Sequence, residues 1–310
     1  MLDVELATRA RRVRIRARRL SSALFAGAFE SAFKGRGMEF DQVREYQPGD
    51  DVRRIDWNVT ARAHHGETTR AFVKEHRVER ELTVIIMVDM SGSGTFGSGL
   101  RTKNEVAAEL AAVLAFAAMA GNDRVGVCVF TDRVERYVPP RKGRTHVARI
   151  IRELLTFTPV GRGTDIASAL AYLERVQRRR AVVFVISDFL QRSAVGRNPE
   201  RSATNASGYL DELKAVAHHH EVVALRPFDV RERVLPNVGL ITLRDAETGE
   251  VQVIDTSDER VRSFVTNSFD AREKALADEM RALDVPLLTF ATDGPYIDTL
   301  IRFFRARTRW

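Results

Sequence analysis

One cysteine in 310 residues, Cys128, excludes an internal disulfide and any cysteine-based metal cluster. It stands in a strand-like apolar run, 125–130, where a thiol is expected to be buried and inert. Histidine is also scarce, and no His-x-x-x-His spacing occurs. His64-His65 and His218-His219-His220 are consecutive, and neighbours in sequence cannot share one helix face, so a solvated helix end is the expected role. Long hydrophobic runs are missing too. The longest, 106–120, is about fifteen residues of mostly alanine with Glu109 inside it, short of the ~20 residues a membrane helix needs. The arginine-rich first twenty residues have no following apolar segment and cleavage site, so no secretory signal is visible. A soluble protein of a reducing cytoplasm is the expectation.

What is present is long enough for one large core with an accessory region, at an ordinary globular composition of 44% hydrophobic and 29% charged residues. The net charge of +7 is uneven. Residues 1–37 hold nine Lys or Arg against three acids, so +6 of it lies there. A smaller basic cluster, Arg302, Arg305, Arg307 and Arg309, closes the chain. A nucleic-acid protein carries such charge on its folded domain with interleaved aromatics, which makes nucleic acid an unlikely partner. A basic amphipathic N-terminus suits an anionic membrane surface, an acidic partner, or simply solvent.

Residues 3–33 show helical spacing of Val13, Leu20, Leu24 and Phe25, ended by Gly35 and Gly37. Residues 38–80 are polar and turn-rich, with short β-prone pieces around the turn at Pro48, and 1–80 is read as a basic helix plus a small β-rich subdomain. From 81 to 310 strands and helices alternate. Strands are expected at 82–88, 124–130, 134–138, 181–187, 221–227 and 286–290. Helices are expected at 102–120, 145–156, 165–178, 208–219, 258–283 and 296–306, with a hairpin insertion near 238–254 and a mobile loop at 191–207. Val/Ile-rich strands alternating with helices predict an α/β fold, a doubly wound and mainly parallel sheet covered on both faces.

The strand 84–88 ends on Asp89 and is followed by Ser91 and Ser93. In open α/β sheets, ligands bind at the carboxyl ends of the strands. One carboxylate and two hydroxyls on one turn form a hard oxygen site, and Mg²⁺ or Mn²⁺ suits such ligands. Two further pieces present oxygen in the same way. Thr164 follows Gly161-Arg162-Gly163 just before a helix, and Asp188 ends the apolar run 183–186 after Ser187. Taken singly, each aspartate also fits a helix cap or turn.

The set Asp89, Ser91, Ser93, Thr164 and Asp188 resembles the metal-ion-dependent adhesion site of a von Willebrand factor A domain. The resemblance implies a metal touched by the two serines and Thr164, held by the aspartates directly or through water, and completed by a carboxylate from a partner protein. Gly94 departs from that pattern, where a methionine often follows the second serine, which puts the stiffness of the loop in question. Gly35-Arg36-Gly37, Glu39-Phe40, Arg44-x-Tyr46, Gly49-Asp50-Asp51-x-Arg53, Ile55-Asp56-Trp57 and Ala61-Arg62 resemble the bacterial domain of unknown function 58 family. The two resemblances together cover roughly residues 30–190. They imply a metal-dependent adaptor or assembly factor working with a MoxR-type AAA+ ATPase or its client. Arg53, Asp56 and Trp57 read as an aromatic and an ion pair locking the subdomain, or as a functional surface.

Three rivals fit less well. Gly92-Ser93-Gly94-Thr95-Phe96-Gly97 spells G-x-G-x-x-G, but the acid expected about twenty residues on would fall in mid-helix, and Asp89 would face a pyrophosphate with like charge. A haloacid-dehalogenase-like phosphatase needs a second aspartate where Ser91 stands, to give the leaving oxygen its proton. The histidine runs lack ligand spacing. The expected function is binding and not catalysis, at a metal site or, alternatively, as a membrane-apposed scaffold docked through the basic N-terminal helix.

Overall fold

The computed structural model describes residues 23–34, 43–48, 52, 55, 57–62, 71–74, 81–99, 101–190, 208–246 and 249–307. The chain divides into two compact units, residues 1–33 with 82–310, and residues 34–81.

In the large unit, strand β3 (Thr83–Asp89) is buried from Val84 onward. Val84, Ile86 and Val88 point into one core, while Ile85 and Met87 point into another. A strand reads as a continuous apolar run when both of its faces are covered, and that is the case here. Its neighbours are β4 (Arg124–Phe130) and β6 (Val182–Ile186), both parallel to it. The sheet continues outward through β7 (Glu221–Phe228) and β10 (Leu287–Ala291) on one side. On the other side it ends in β5 (Val134–Arg141), antiparallel to β4. The strand order is β10-β7-β6-β3-β4-β5. Pro139 and Pro140 are tolerated in β5 because it is an edge strand with an irregular register.

Helices cover both faces, as the alternation predicts. One core takes α1 (Ala23–Lys34), α3 (Lys103–Ala120), α4 (Arg144–Leu155) and α9 (Tyr296–Arg307). The other takes α5 (Ile166–Val176), α6 (Leu210–His219) and part of α8 (Glu259–Ala282). The short α7 (Val230–Arg233) follows β7. Helix α3 is alanine-rich and buried nearly all round, and it starts in a capping box between Thr102 and Glu105. The chain leaves β3 toward β4 on one side and returns to β6 on the other. The crevice outside the carboxyl ends of β3 and β6 is therefore the topological switch point, where such sheets bind ligands. Asp89 and Asp188 stand at its two sides.

The hairpin β8 (Leu240–Arg244) and β9 (Val251–Asp255) forms in the expected place, exposing Leu240, Val251 and Val253. In the small unit, β1 (Val43–Glu45) pairs with β2 (Phe72–Lys74), and the helix α2 (Trp57–Arg62) places the Thr60 hydroxyl to accept from the Phe72 N–H at 3.0 Å.

Several expectations need correction. The sequence reading joined the N-terminal helix to the accessory region, but α1 packs in the core of the large unit. Its Phe29 ring meets Phe304 at 5.4 Å and Phe184 at 6.1 Å. The small unit contains a helix where only β-prone pieces were expected. Trp57 is 69% exposed, so it does not lock that unit; Arg53 and Asp56 lie outside the described residues. His220 is buried and not solvated. The arginines of 9–19 and the 191–207 loop also lie outside the described residues.

Candidate metal centre

Asp89 closes β3 at 6% exposure, with both oxygens engaged. One accepts from the Ser91 N–H at 2.9 Å, and the other accepts from the Ser187 hydroxyl at 2.7 Å. Burial, together with the nearby charge of Asp188, pushes the Asp89 carboxyl up to about 7, although the Ser187 and Ser91 hydrogen bonds pull the other way. Its anionic form is therefore disfavoured, and a cation placed beside it would favour that form.

Past Asp89 the chain turns into a single 3₁₀ turn, Gly92–Thr95. The turn brings the Ser91 and Ser93 hydroxyls within 3.1 Å of each other. No side chain fits at Gly92, because a Cβ would lie 2.8 Å from the Ala246 carbonyl at the hairpin tip and 3.1 Å from the Arg162 carbonyl. Gly94 is buried, and a Cβ there would run into the Asn104 carboxamide. The glycine where a methionine was expected therefore marks a loop packed from both sides.

The segment before α5 is fastened to this turn. Gly92 N–H donates to the Arg162 carbonyl at 2.9 Å, and the Glu135 carboxylate accepts from the N–H groups of Val160 and Gly161 at 3.0 and 2.7 Å. Asp165 caps α5 and donates its own N–H to the Thr131 carbonyl. Thr164 is thus held two residues from the Arg162 contact, but it does not line the cavity between the two strand ends. Asp89, Ser91, Ser93, Lys103, Ser187 and Asp188 do line it. Four of the five expected ligands converge; the fifth sits on the adjoining loop.

Asp188 is oriented by an abrupt turn. Phe189 takes a left-handed φ of 55°, uncommon for a bulky residue, and its buried ring packs against Tyr209. Its N–H donates to the Ser187 hydroxyl, and the Asp188 carbonyl accepts from Arg226 Nε at 3.0 Å. One Asp188 oxygen accepts from the Leu190 N–H, and the other accepts from Lys103 Nζ at 2.7 Å. Lys103 is 2% exposed and also reaches Glu232 at 2.6 Å. Burial works against its charge, but Asp188 and Glu232 outweigh that and raise its pKa.

Lys103, Ser187 and Glu232 were not anticipated. Ser187 adjoins an expected ligand, which was a usable signal. Lys103 reads from the sequence only as a helix residue, while its ammonium reaches Asp188 at the end of β6 and Glu232 on α7.

At the opposite edge of the sheet, Glu174, His219 and His220 bring ligand atoms within 4.8 Å of one another. The His220 Nδ1 accepts from the Ala181 N–H at 3.2 Å, so in the neutral ring Nε2 keeps its proton and faces Glu174 Oε1 at 3.6 Å. The same ring donates no lone pair to a cation. Cys128 is wholly buried, which pushes its thiol up to about 12.

The chain belongs to the family described as protein of unknown function DUF58, whose model matches residues 42–275. The uncharacterized proteins Mb1516 of Mycobacterium bovis and Rv1480 of Mycobacterium tuberculosis are each 33% identical over 309 residues, covering 99% of this chain and 91% of theirs. Among solved structures, the conserved hypothetical protein BatB of Bacteroides thetaiotaomicron superposes with a TM-score of 0.45 at 18% identity, over 74% of this chain and 100% of that one.

Proposed function

We propose that this protein is a von Willebrand factor A-like adaptor whose metal centre recognises an acidic side chain on a protein partner. The observation that carries the reading is the 3.1 Å spacing of the Ser91 and Ser93 hydroxyls beside a buried carboxylate at the switch point. Two neighbouring ligands of an octahedral ion with arms of 2.0–2.1 Å lie about 2.9 Å apart, so the pair suits one Mg²⁺ or Mn²⁺. The donors are all hard oxygens, and a cation would favour the Asp89 anion that burial and Asp188 disfavour.

Ser91, Ser93 and Asp89 would hold the ion, with Asp188 and Thr164 completing the set from the adjoining loops. When bound, the metal supplies a positive centre that an incoming Asp or Glu satisfies. The chain's own part is to fix the two hydroxyls through the Gly92 and Gly94 contacts and to keep Asp89 turned inward through Ser187. Such a centre binds and does not transform, so the protein is proposed to be an assembly factor of the cytoplasm and not an enzyme. A MoxR-type AAA+ ATPase or its client is the proposed partner, on the family resemblance.

The test is binding of the purified ATPase to the wild type and to Asp89→Ala, with Mg²⁺ and with chelator. Binding that needs both the metal and Asp89, in a variant with unchanged circular dichroism, supports the adaptor. Binding in all four conditions contradicts it and directs attention to the arginine-rich residues 9–19 and an anionic membrane. None of the described helices is long and apolar enough to cross a membrane.

A further inference from the structure

The centre already holds one cation of its own. Lys103 Nζ lies 2.7 Å from Asp188 and 2.6 Å from Glu232, and its side chain is 3% exposed. The space left beside Asp89, Ser91, Ser93 and Asp188 is about 10 Å³, room for a single water-sized sphere. Lys103 lines the same space, so a divalent ion held between the two strand ends would lie close to the ammonium. The Asp188 oxygen that faces the ammonium is the one it would have to share with a metal, while the other accepts from the Leu190 N–H.

We infer that Lys103 is a tethered cation competing with the divalent metal for Asp188, so that it sets the metal affinity of the centre. The inference rests on the metal-binding reading above. Two features of the chain support competition over mere support. The ammonium has a second carboxylate in Glu232, which gives it a place to stay when Asp188 is released. Glu232 sits on α7, outside the metal turn, and its other oxygen accepts from the Asp229 N–H at 3.2 Å in the cap of that helix. The head group is thus held by two elements, and only the Asp188 bond must break for a metal to enter. An ammonium and a divalent ion cannot share one carboxylate at contact distance in a partly buried site without strong mutual repulsion.

A lysine that only positioned Asp188 would have the opposite signature. Its removal would then weaken the metal, not strengthen it.

The experiment titrates Mn²⁺ alone into the full chain and reads bound metal by electron paramagnetic resonance, for the wild type, Lys103→Met and Lys103→Arg. Competition predicts that Lys103→Met binds Mn²⁺ at least about tenfold tighter than the wild type, while Lys103→Arg, which keeps the charge, shows no gain. Equal or weaker binding in Lys103→Met overturns the inference and leaves the metal reading standing. A gain in Lys103→Arg as large as in Lys103→Met also overturns it, because loosened packing and not lost charge would then be the cause. No Mn²⁺ binding in any variant overturns the metal reading and the inference together. Should Lys103→Met fail to fold with Asp188 and Glu232 unpaired, the double variant Lys103→Met/Glu232→Gln removes the ammonium together with one carboxylate. It carries the same expectation of tightening, and the same failure if none is seen.

Discussion

Two polar clusters stand at opposite edges of one sheet, and their hydrogen bonding is the reverse of what their chemistry suggests. At the carboxyl edge, all six oxygens of Asp89, Asp188 and Glu232 have a donor. At the amino edge, Glu174 Oε1 and His220 Nε2 are buried without a hydrogen-bond partner. An unsatisfied buried atom is the usual mark of a missing ligand, yet here the satisfied cluster is the one proposed as the metal centre. Asp188 and Glu232 there share one ammonium, Asp89 beside them has only neutral donors, and two glycine contacts hold two hydroxyls at ligand spacing. The unsatisfied cluster is fixed instead by a backbone N–H that commits the His220 tautomer. Surplus charge and loop geometry discriminate between the two; a count of unpaired atoms does not.

The sharpest way to break this comparison uses the cost of the surplus charge. The Asp89 carboxyl is raised to about 7 in the folded chain from an ordinary 3.8. For a group raised on folding, the stabilisation is complete below the unfolded value and is lost as pH climbs through the folded one. In chelator, stability should therefore fall between about pH 4 and pH 7. Asp89→Asn, which carries no charge, should escape that fall and exceed the wild type at pH 8 by up to about 4 kcal/mol in urea denaturation. A variant that is less stable than the wild type at pH 8 would mean that Asp89 is already neutralised without a metal.

The amino edge should behave as structure. His220→Leu leaves the Ala181 N–H without its acceptor and should cost about 1–3 kcal/mol while Mn²⁺ binding stays as in the wild type. A smaller effect is expected where neither cluster reaches. Val253→Ser on the exposed hairpin face should change stability by less than about 0.5 kcal/mol, and a larger loss would show that the hairpin belongs to the core. Between the two edges, Cys128 should remain unlabelled by maleimide at pH 8 in the native protein, since its thiol is held near 12.

Much of this arrangement was legible in the residues. The runs 84–88 and 182–186 are apolar throughout because both of their faces are covered, so the parallel sheet and the two strand-end aspartates followed from one pattern. Ser91 and Ser93 could be placed beside Asp89 because alternate positions on a turn share a side. Lys103 could not be placed, since helical periodicity says which way a residue faces only within the helix, and its side chain reaches across to β6 and α7. Glu135 was equally hidden. It fastens the loop before α5 from a strand edge 25 residues away in sequence, a contact that only the antiparallel return of β5 creates. Likewise, the burial of His220 depends on β6 and β7 starting side by side, which no spacing within the run of three histidines reveals.

The central claim is that the carboxyl edge, and not the amino edge, is built for a cation. Mn²⁺ titration of the wild type, Ser91→Ala/Ser93→Ala and His219→Ala, read by the relaxation of water protons, tests it directly. The account predicts one saturable Mn²⁺ in the wild type and in His219→Ala, and its loss in the double serine variant. Binding that survives the serine substitutions and disappears with His219 would contradict it.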